Sequence, residues 1–97
     1  MAPGAAIGLL PTMNIQLKYF ASVREALGRS HEVVDVPEGI ATLGDVRAWL
    51  RGRGGVWDET LAEGRALRMA FNHVMTNEDV RLTDGCEVAF FPPVTGG

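Results

Sequence analysis

Two short segments near the ends of the chain alternate between apolar and polar side chains, which is the pattern of strands that bury one face. The first segment spans residues 14–20 and the second spans residues 86–91. Pro92 and Pro93 follow the second segment, and because proline has no backbone donor, strand pairing is expected to end there. The side chains predicted to face the core are Ile15, Leu17, Tyr19, Cys86, Val88 and Phe90.

The main helix is predicted to begin at Thr42, because Thr42 and Asp45 have the spacing of a capping box. Apolar residues follow at the three- and four-residue spacing of one helical face. We expect the arginines that lie mostly off this face to be solvated. The apolar face comprises Leu43, Val46, Trp49 and Leu50, and the arginines are Arg47, Arg51 and Arg53.

Shorter elements are predicted on both sides of this helix. Ser22 can cap a short helix that Gly28 ends and that buries Val23, Ala26 and Leu27. The other predicted elements are strands over residues 31–36, 67–71 and 74–76, a turn at Asn72-His73, and an irregular or single-turn helical connection over residues 56–61, with Trp57 and Leu61 at the edge of the core.

This order of elements predicts an α+β domain with one main helix packed across a mixed sheet. The pattern is compatible with a β-grasp but does not by itself prove one. We assign residues 13–91 to this domain and residues 92–97 to an extended C-terminal tail. Residues 1–12 carry no charged side chain and are predicted to be an N-terminal extension, disordered or non-native. Their apolar run is far shorter than the roughly 20 residues of a membrane span.

Composition argues against several classes of function. The 97 residues carry a net charge of −3, so a broad basic surface for nucleic acid is not expected. Cys86 is the only cysteine, which favours a reducing, cytoplasmic setting and a structural thiol. His31 and His73 lack the spacing of metal ligands. We therefore predict no metal site, no membrane contact and protein partners.

The C-terminal end, Pro92-Pro93-Val94-Thr95-Gly96-Gly97, has the properties of a chemical arm. The prolines keep the chain extended, and residues beyond Phe91 reach about 20 Å at roughly 3.3 Å each. Gly96 and Gly97 have no side chains and can enter a narrow channel. The terminal carboxylate is ionised at neutral pH and could attack the α-phosphorus of ATP when a partner positions both. A sulfur donor could then convert the acyl-adenylate into a thiocarboxylate.

The segment from Leu82 to Gly97, LTDGCEVAFFPPVTGG, closely resembles the C-terminus of the small subunit of molybdopterin synthase, the MoaD family. The segment YFASVRE over residues 19–25 resembles the family's first strand entering its first helix. The resemblance covers residues 13–97. It implies a ubiquitin-like β-grasp and a non-catalytic sulfur carrier whose Gly97 carboxylate is adenylated, converted to thiocarboxylate, and used to form molybdopterin from cyclic pyranopterin monophosphate.

The resemblance also implies partners and contact residues. The partners are a large subunit in a heterotetramer of two small and two large chains, a ubiquitin-activating-like adenylyltransferase that consumes ATP, and a sulfurtransferase or persulfide donor. No permanently bound cofactor is expected. Phe20, Met75 and Phe91 match apolar interface positions beside the tail residues Pro92 to Gly97. Cys86 departs from the family, which tends to carry a polar residue there.

Three alternatives remain open at this point. A sulfur carrier for thiamine or cysteine synthesis would use the same carboxyl chemistry. A ubiquitin-like protein modifier would end in an isopeptide bond from Gly97 to a lysine after identical activation. A plain interaction module would undergo no chemistry at all.

Overall fold

The computed structural model describes residues 13–93, so the predicted extension 1–12 and residues 94–97 lie outside the described part. Five strands and three helices follow one another along it. Their bounds are β1 Met13–Tyr19, α1 Ala21–Leu27, β2 His31–Val36, α2 Leu43–Arg51, α3 Val56–Thr60, β3 Arg68–Phe71, β4 Val74–Thr76 and β5 Glu87–Phe91. Each predicted strand and helix is present, with ends that differ by one or two residues.

The five strands form one mixed sheet in the order β2-β1-β5-β3-β4. β5 lies at its centre, parallel to β1 and antiparallel to β3, while β1 is antiparallel to β2 and β3 is antiparallel to β4. The first and last strands along the chain are therefore neighbours. The predicted turn at Asn72-His73 is confirmed, with φ values of 48° and 73° that suit a two-residue hairpin between β3 and β4.

One face of the sheet, here called the inner face, packs against the helices. All six side chains predicted for the core from β1 and β5 are buried there, at 2% exposure or less. The apolar side of α2 supplies Leu43, Val46 and Leu50, each fully buried, while Trp49 is half-buried. Each such side chain contributes about 1.5–3 kcal/mol when it leaves water, so this layer holds the sheet and the helices together.

The capping box at the start of α2 is confirmed. The Thr42 hydroxyl accepts from the Asp45 N–H at 3.1 Å, and the Asp45 carboxylate accepts from the N–H groups of Ala41 and Thr42 at 2.9 and 3.1 Å. These two backbone donors lower the pKa of the Asp45 carboxyl, because they stabilise its ionised form. Local sequence thus determines where the covering helix begins.

The prediction that Ser22 caps α1 is wrong. Ser22 is the second residue of the helix, and the cap position is Phe20, whose side chain makes no capping bond. Phe20 still continues the sheet, since its N–H donates to the Phe90 carbonyl at 3.1 Å. Ala21 then turns the chain into the helix at once with φ +52°. The end at Gly28 is confirmed, with φ +75°, but Ala26 is exposed rather than buried.

The prediction that Arg47 is solvated is also wrong, because its side chain is only 5% exposed. Its guanidinium donates to the carbonyls of Leu61 and Ala62 at 2.7 and 2.5 Å and to the Glu78 carboxylate at 2.7 Å. Both carbonyls follow α3, and the Ala62 carbonyl also accepts from the Arg65 N–H at 3.0 Å. Arg47 therefore ties α2 to the chain that leads into β3, whereas Arg51 and Arg53 are partly exposed.

Candidate functional site

The chain leaves the sheet from its interior rather than from an edge. β5 is paired on both sides, by β1 up to Phe90 and by β3 up to Phe91. Phe90 is fully buried and stacks on Tyr19 with ring centroids 6.3 Å apart. Pro92 and Pro93 follow and are half-buried. The predicted tail residues Val94, Thr95, Gly96 and Gly97 lie outside the described residues, but the point from which they start is held by a strand that cannot shift without breaking two ladders.

The three predicted interface residues lie around the face of the sheet opposite the helices, here called the outer face. Phe20 is 45% exposed and Met75 is 65% exposed, while Phe91 is half-buried. Phe20 directly follows the registered pair Tyr19–Phe90, so it lies beside Phe91. Met75 lies two strands away from β5, on β4.

Two alanines join these residues into one surface. Ala89 on β5 is registered with Ala70 on β3, and Ala70 is registered with Met75 on β4. Both alanines have low exposure, 5% for Ala89 and 9% for Ala70, although they face away from the core. We call Phe20, Ala70, Met75, Ala89 and Phe91 the outer apolar patch. Neither alanine was among the predicted interface residues. Both are small residues at outward positions of strands that are neighbours in the sheet, and this pattern was the signal that the sequence offered.

Charged groups border this patch on the same face. Glu87 accepts from Lys18 at 3.5 Å and lies 3.5 Å from the His73 ring nitrogen. Arg68 is registered with Phe91 and is exposed. An apolar centre with a polar rim is the usual anatomy of a protein contact site.

A second concave surface lies at the root of the tail. A cavity of about 420 Å³ opens between α1 and the chain before β3, and Pro92 forms part of its wall. Ser22 and Ala26 line it from the helix, and Arg65 and Leu67 line it from the opposite side. A partner that holds the tail would meet this cavity immediately beside the last described residues.

An aromatic and ionic cluster supports β1 from the helical side. The Tyr19 hydroxyl donates to Glu32 at 2.7 Å, and Arg53 donates to the same carboxylate at 2.8 and 3.2 Å. Arg53 also lies 4.3 Å from the centre of a Trp57 ring, and Trp57 meets Tyr19 edge-on. Trp57 is half-buried, as predicted for the rim of the core. The sequence analysis did not identify Glu32 as the centre of this cluster.

The cluster shifts the pKa values of two of its members, Tyr19 and Glu32. Burial and the hydrogen bond to Glu32 raise the pKa of the Tyr19 hydroxyl, so it remains a donor. Burial opposes ionisation of Glu32, but the hydrogen bonds from Arg53 and Tyr19, with the nearby arginine charges, outweigh it and lower the pKa of that carboxyl. The cluster therefore stabilises the strand that leads into Phe20.

Other chemistry-bearing residues form no site in the described part of the chain. Cys86 is a free thiol, 2% exposed, which fits the structural role predicted for it. Within residues 13–93 no three histidine, cysteine or acidic side chains come together as metal ligands. In the same range no helix has the length and apolar character to cross a membrane.

Comparison with known protein families identifies the family to which this sequence is related. A model of the ThiS family matches residues 17–97. The chain belongs to the ThiS family. The molybdopterin synthase sulfur carrier subunit of Escherichia coli strain K12 is 39% identical over 83 residues, which is 86% of this chain and 99% of that protein. The predicted resemblance to the small subunit of molybdopterin synthase is confirmed.

Solved structures of this family type confirm the predicted ubiquitin-like β-grasp. SAMP1, a small archaeal modifier protein from Haloferax volcanii, superposes with a TM-score of 0.70 at 29% identity, over 87% of this chain and 99% of that one. A chain from the protein–protein complex of subunits 1 and 2 of molybdopterin-converting factor from Helicobacter pylori superposes with a TM-score of 0.59 at 22% identity. The match covers 88% of this chain and 100% of that one. The latter likeness concerns the fold alone.

Proposed function

We propose that this chain is the sulfur-carrier subunit of molybdopterin synthase and that Gly97 is its reactive residue. The observation that carries the proposal is the 39% identity to the Escherichia coli sulfur carrier subunit over 99% of that protein. The chain would not be an enzyme by itself. It would donate sulfur to cyclic pyranopterin monophosphate, while the catalytic side chains belong to the large subunit.

The chemistry takes place at the terminal carboxylate. One carboxylate oxygen attacks the α-phosphorus of ATP and pyrophosphate leaves, which gives an acyl-adenylate at Gly97. The terminal sulfur of a persulfide donor, such as a sulfurtransferase, then attacks the acyl carbon and AMP leaves, which gives an acyl disulfide. A second thiol attacks the donor's sulfur in that disulfide, so that the thiocarboxylate leaves and the donor and the thiol end in a disulfide. ATP is bound by the activating adenylyltransferase, and this chain holds no permanent cofactor. We place these steps in the cytoplasm, where a single free thiol such as Cys86 stays reduced.

The contact with the large subunit would use the outer apolar patch together with Pro92, Pro93 and Val94. Phe20 and Met75 are the most exposed large apolar residues of this face near the tail, and aromatic side chains commonly anchor protein contacts. Thr95 and Gly96 would thread toward the active centre, with Gly97 at the end. Two copies of this chain would bind two large subunits in a heterotetramer.

The test is the intact mass of the protein purified from cells that contain the activating system. Replacement of one terminal oxygen by sulfur adds about 16 Da. Thiocarboxylated protein mixed with a large synthase subunit and precursor should then yield molybdopterin. A variant that lacks Gly97 should keep the fold and transfer no sulfur, whereas Cys86→Ala should retain transfer. Transfer without Gly97 would refute the mechanism.

A second function, protein modification, is favoured by the likeness to SAMP1. It predicts conjugates in which the Gly97 carboxyl is bonded to a lysine amine, with a mass far above that of the thiocarboxylate. A carrier for thiamine or cysteine synthesis would show the same added sulfur but would fail in the molybdopterin assay. Working control carriers in each assay separate these outcomes.

A further inference from the structure

A groove of about 450 Å³ lies beside the outer apolar patch, between β1, the start of β2 and the exposed side of α1. Phe20 belongs both to the patch and to the wall of this groove. The remaining wall is polar and basic. We call this groove the basic groove. Its lining includes Gln16, Lys18, Arg24, Ser30 and His31.

The charge of the groove is opposite to that of the whole chain. The chain carries −3, yet the groove is lined by a lysine, an arginine and a histidine, with no carboxylate among its lining residues. The Lys18 ammonium lies 3.5 Å from the carboxylate of Glu87, a residue that does not line the groove. The Lys18 side chain is still 40% exposed. Arg24 is exposed, and among residues 13–93 its side chain has no hydrogen-bond or ion-pair partner. The groove therefore has unused capacity for an anion.

The position of Arg24 follows from the junction of β1 and α1. Phe20 ends the strand, Ala21 turns the chain, and Arg24 comes one helical turn after Phe20, as its N–H donates to the Phe20 carbonyl at 3.3 Å. Residues four apart on a helix lie on one side of it. An aromatic ring and a guanidinium are thereby presented next to each other, with Lys18 on the adjoining strand.

We propose that the basic groove receives a carboxylate side chain of the large synthase subunit, directly beside the apolar contact at Phe20. This inference rests on the proposed function. Arg24 would donate to the carboxylate and Lys18 would add charge, while an apolar neighbour of that acid would pack on Phe20. The partner segment is thus expected to carry an aspartate or glutamate next to an aliphatic or aromatic residue.

Such a contact would set the orientation of the bound domain. The outer apolar patch is non-directional, because apolar burial scales with area rather than with geometry. A guanidinium–carboxylate pair at one rim has directional hydrogen bonds and contributes to specificity and association rate. It would restrict rotation of the domain about the patch and so bring the C-terminal segment toward a single entrance on the partner.

The test measures binding of thiocarboxylated full-length protein to the large subunit by calorimetry. Arg24→Glu is compared with Arg81→Glu, the same charge reversal at an exposed residue outside the groove. At about 50 mM NaCl, Arg24→Glu is expected to weaken binding about 10-fold or more, Arg24→Gln about 3-fold, and Arg81→Glu less than 2-fold. The deficit of Arg24→Glu should shrink at about 500 mM NaCl, where charges are screened.

Several outcomes separate the inference from the proposed function. If Phe20→Ala weakens the complex but Arg24→Glu binds like Arg81→Glu, the groove assignment is refuted and the carrier function stands. If the unsubstituted protein does not bind the large subunit, the proposed function fails. If Arg24→Glu impairs only adenylation by the activating enzyme, the carboxylate belongs to that enzyme and the inference is overturned. Thermal melting verifies folding, and Arg24→Gln decides the case if Arg24→Glu is unfolded.

Discussion

The two faces of the sheet are built from the same strands but carry different residues and different neighbours. On the inner face, large apolar side chains such as Leu17 and Phe90 are fully buried under helices. On the outer face, which lies opposite the helices, the small side chains of Ala70 and Ala89 lie between the larger apolar side chains of the outer apolar patch. The alternation of side chains along a strand thus divides one sheet into a face buried in the core and a face outside it, and the outer face is the one we propose for partners.

The largest effect is expected from Phe90→Ala, measured against Phe91→Ala. The adjacent phenylalanines point to opposite faces, and only Phe90 is fully buried. Loss of its ring should lower the free energy of unfolding by about 3–5 kcal/mol, because a cavity remains in the core. Phe91→Ala should cost much less. Denaturant titration followed by circular dichroism measures both, and equal losses would contradict the division into two faces.

A smaller effect, on binding rather than folding, is expected from Met75→Glu. Val74 is the matched control, since it is the preceding residue on β4, points to the other face and has similar exposure, 67% against 65%. Met75→Glu should weaken the complex with the large subunit by about 10-fold, because a carboxylate would enter the apolar centre of the contact. Val74→Glu should bind normally. If both variants bind alike, the outer apolar patch is not the contact surface.

Helix α2, which packs on the inner face, can be destabilised at its capping box. Thr42→Ala should lower the free energy of unfolding by about 1 kcal/mol, because the Asp45 N–H would lose its acceptor. Thr83→Ala serves as the control, as Thr83 is exposed and its side chain makes no hydrogen bond within residues 13–93. Thermal melting compares the two, and no difference between them would show that the box adds no stability.

The smallest expected effect is on acid stability. The pKa values of Glu32 and Asp45 are lower in the folded protein than their ordinary values of 4.5 and 3.8. A lowered pKa means that the stabilisation is complete above the ordinary value and is lost as the pH falls through the folded-state value. Unfolding free energy should therefore decline below about pH 4.5.

Glu32→Gln provides the comparison for acid stability. It should be less stable than the parent at neutral pH, because Arg53 and Tyr19 lose their charged partner. It should also show a shallower decline in acid. A parallel decline in both proteins, measured by urea titration at a series of pH values, would assign the acid sensitivity to other groups.

Features that depend on neighbouring residues were predictable from local patterns in the chain. Period-two alternation located β1 and β5, the Thr42–Asp45 spacing located the start of α2, and Asn72-His73 located the hairpin turn. The resemblance over residues 82–97 identified the family, and the carboxylate chemistry is what that resemblance implies. These signals survive without tertiary context because they depend on backbone geometry and side chains within a few residues of one another.

Contacts between distant parts of the chain follow from the way the elements pack, and no local pattern shows them. The antiparallel pairing of β3 with β5 places Ala70 beside Ala89, and the parallel pairing of β1 with β5 places Lys18 on the other side of Ala89. Arg47 is buried with its guanidinium bonded to carbonyls that follow α3 and to the Glu78 carboxylate, contacts that no helical spacing reveals. The physical reason is that burial and charge depend on packing between elements, whereas local periodicity specifies only which side of each element is apolar.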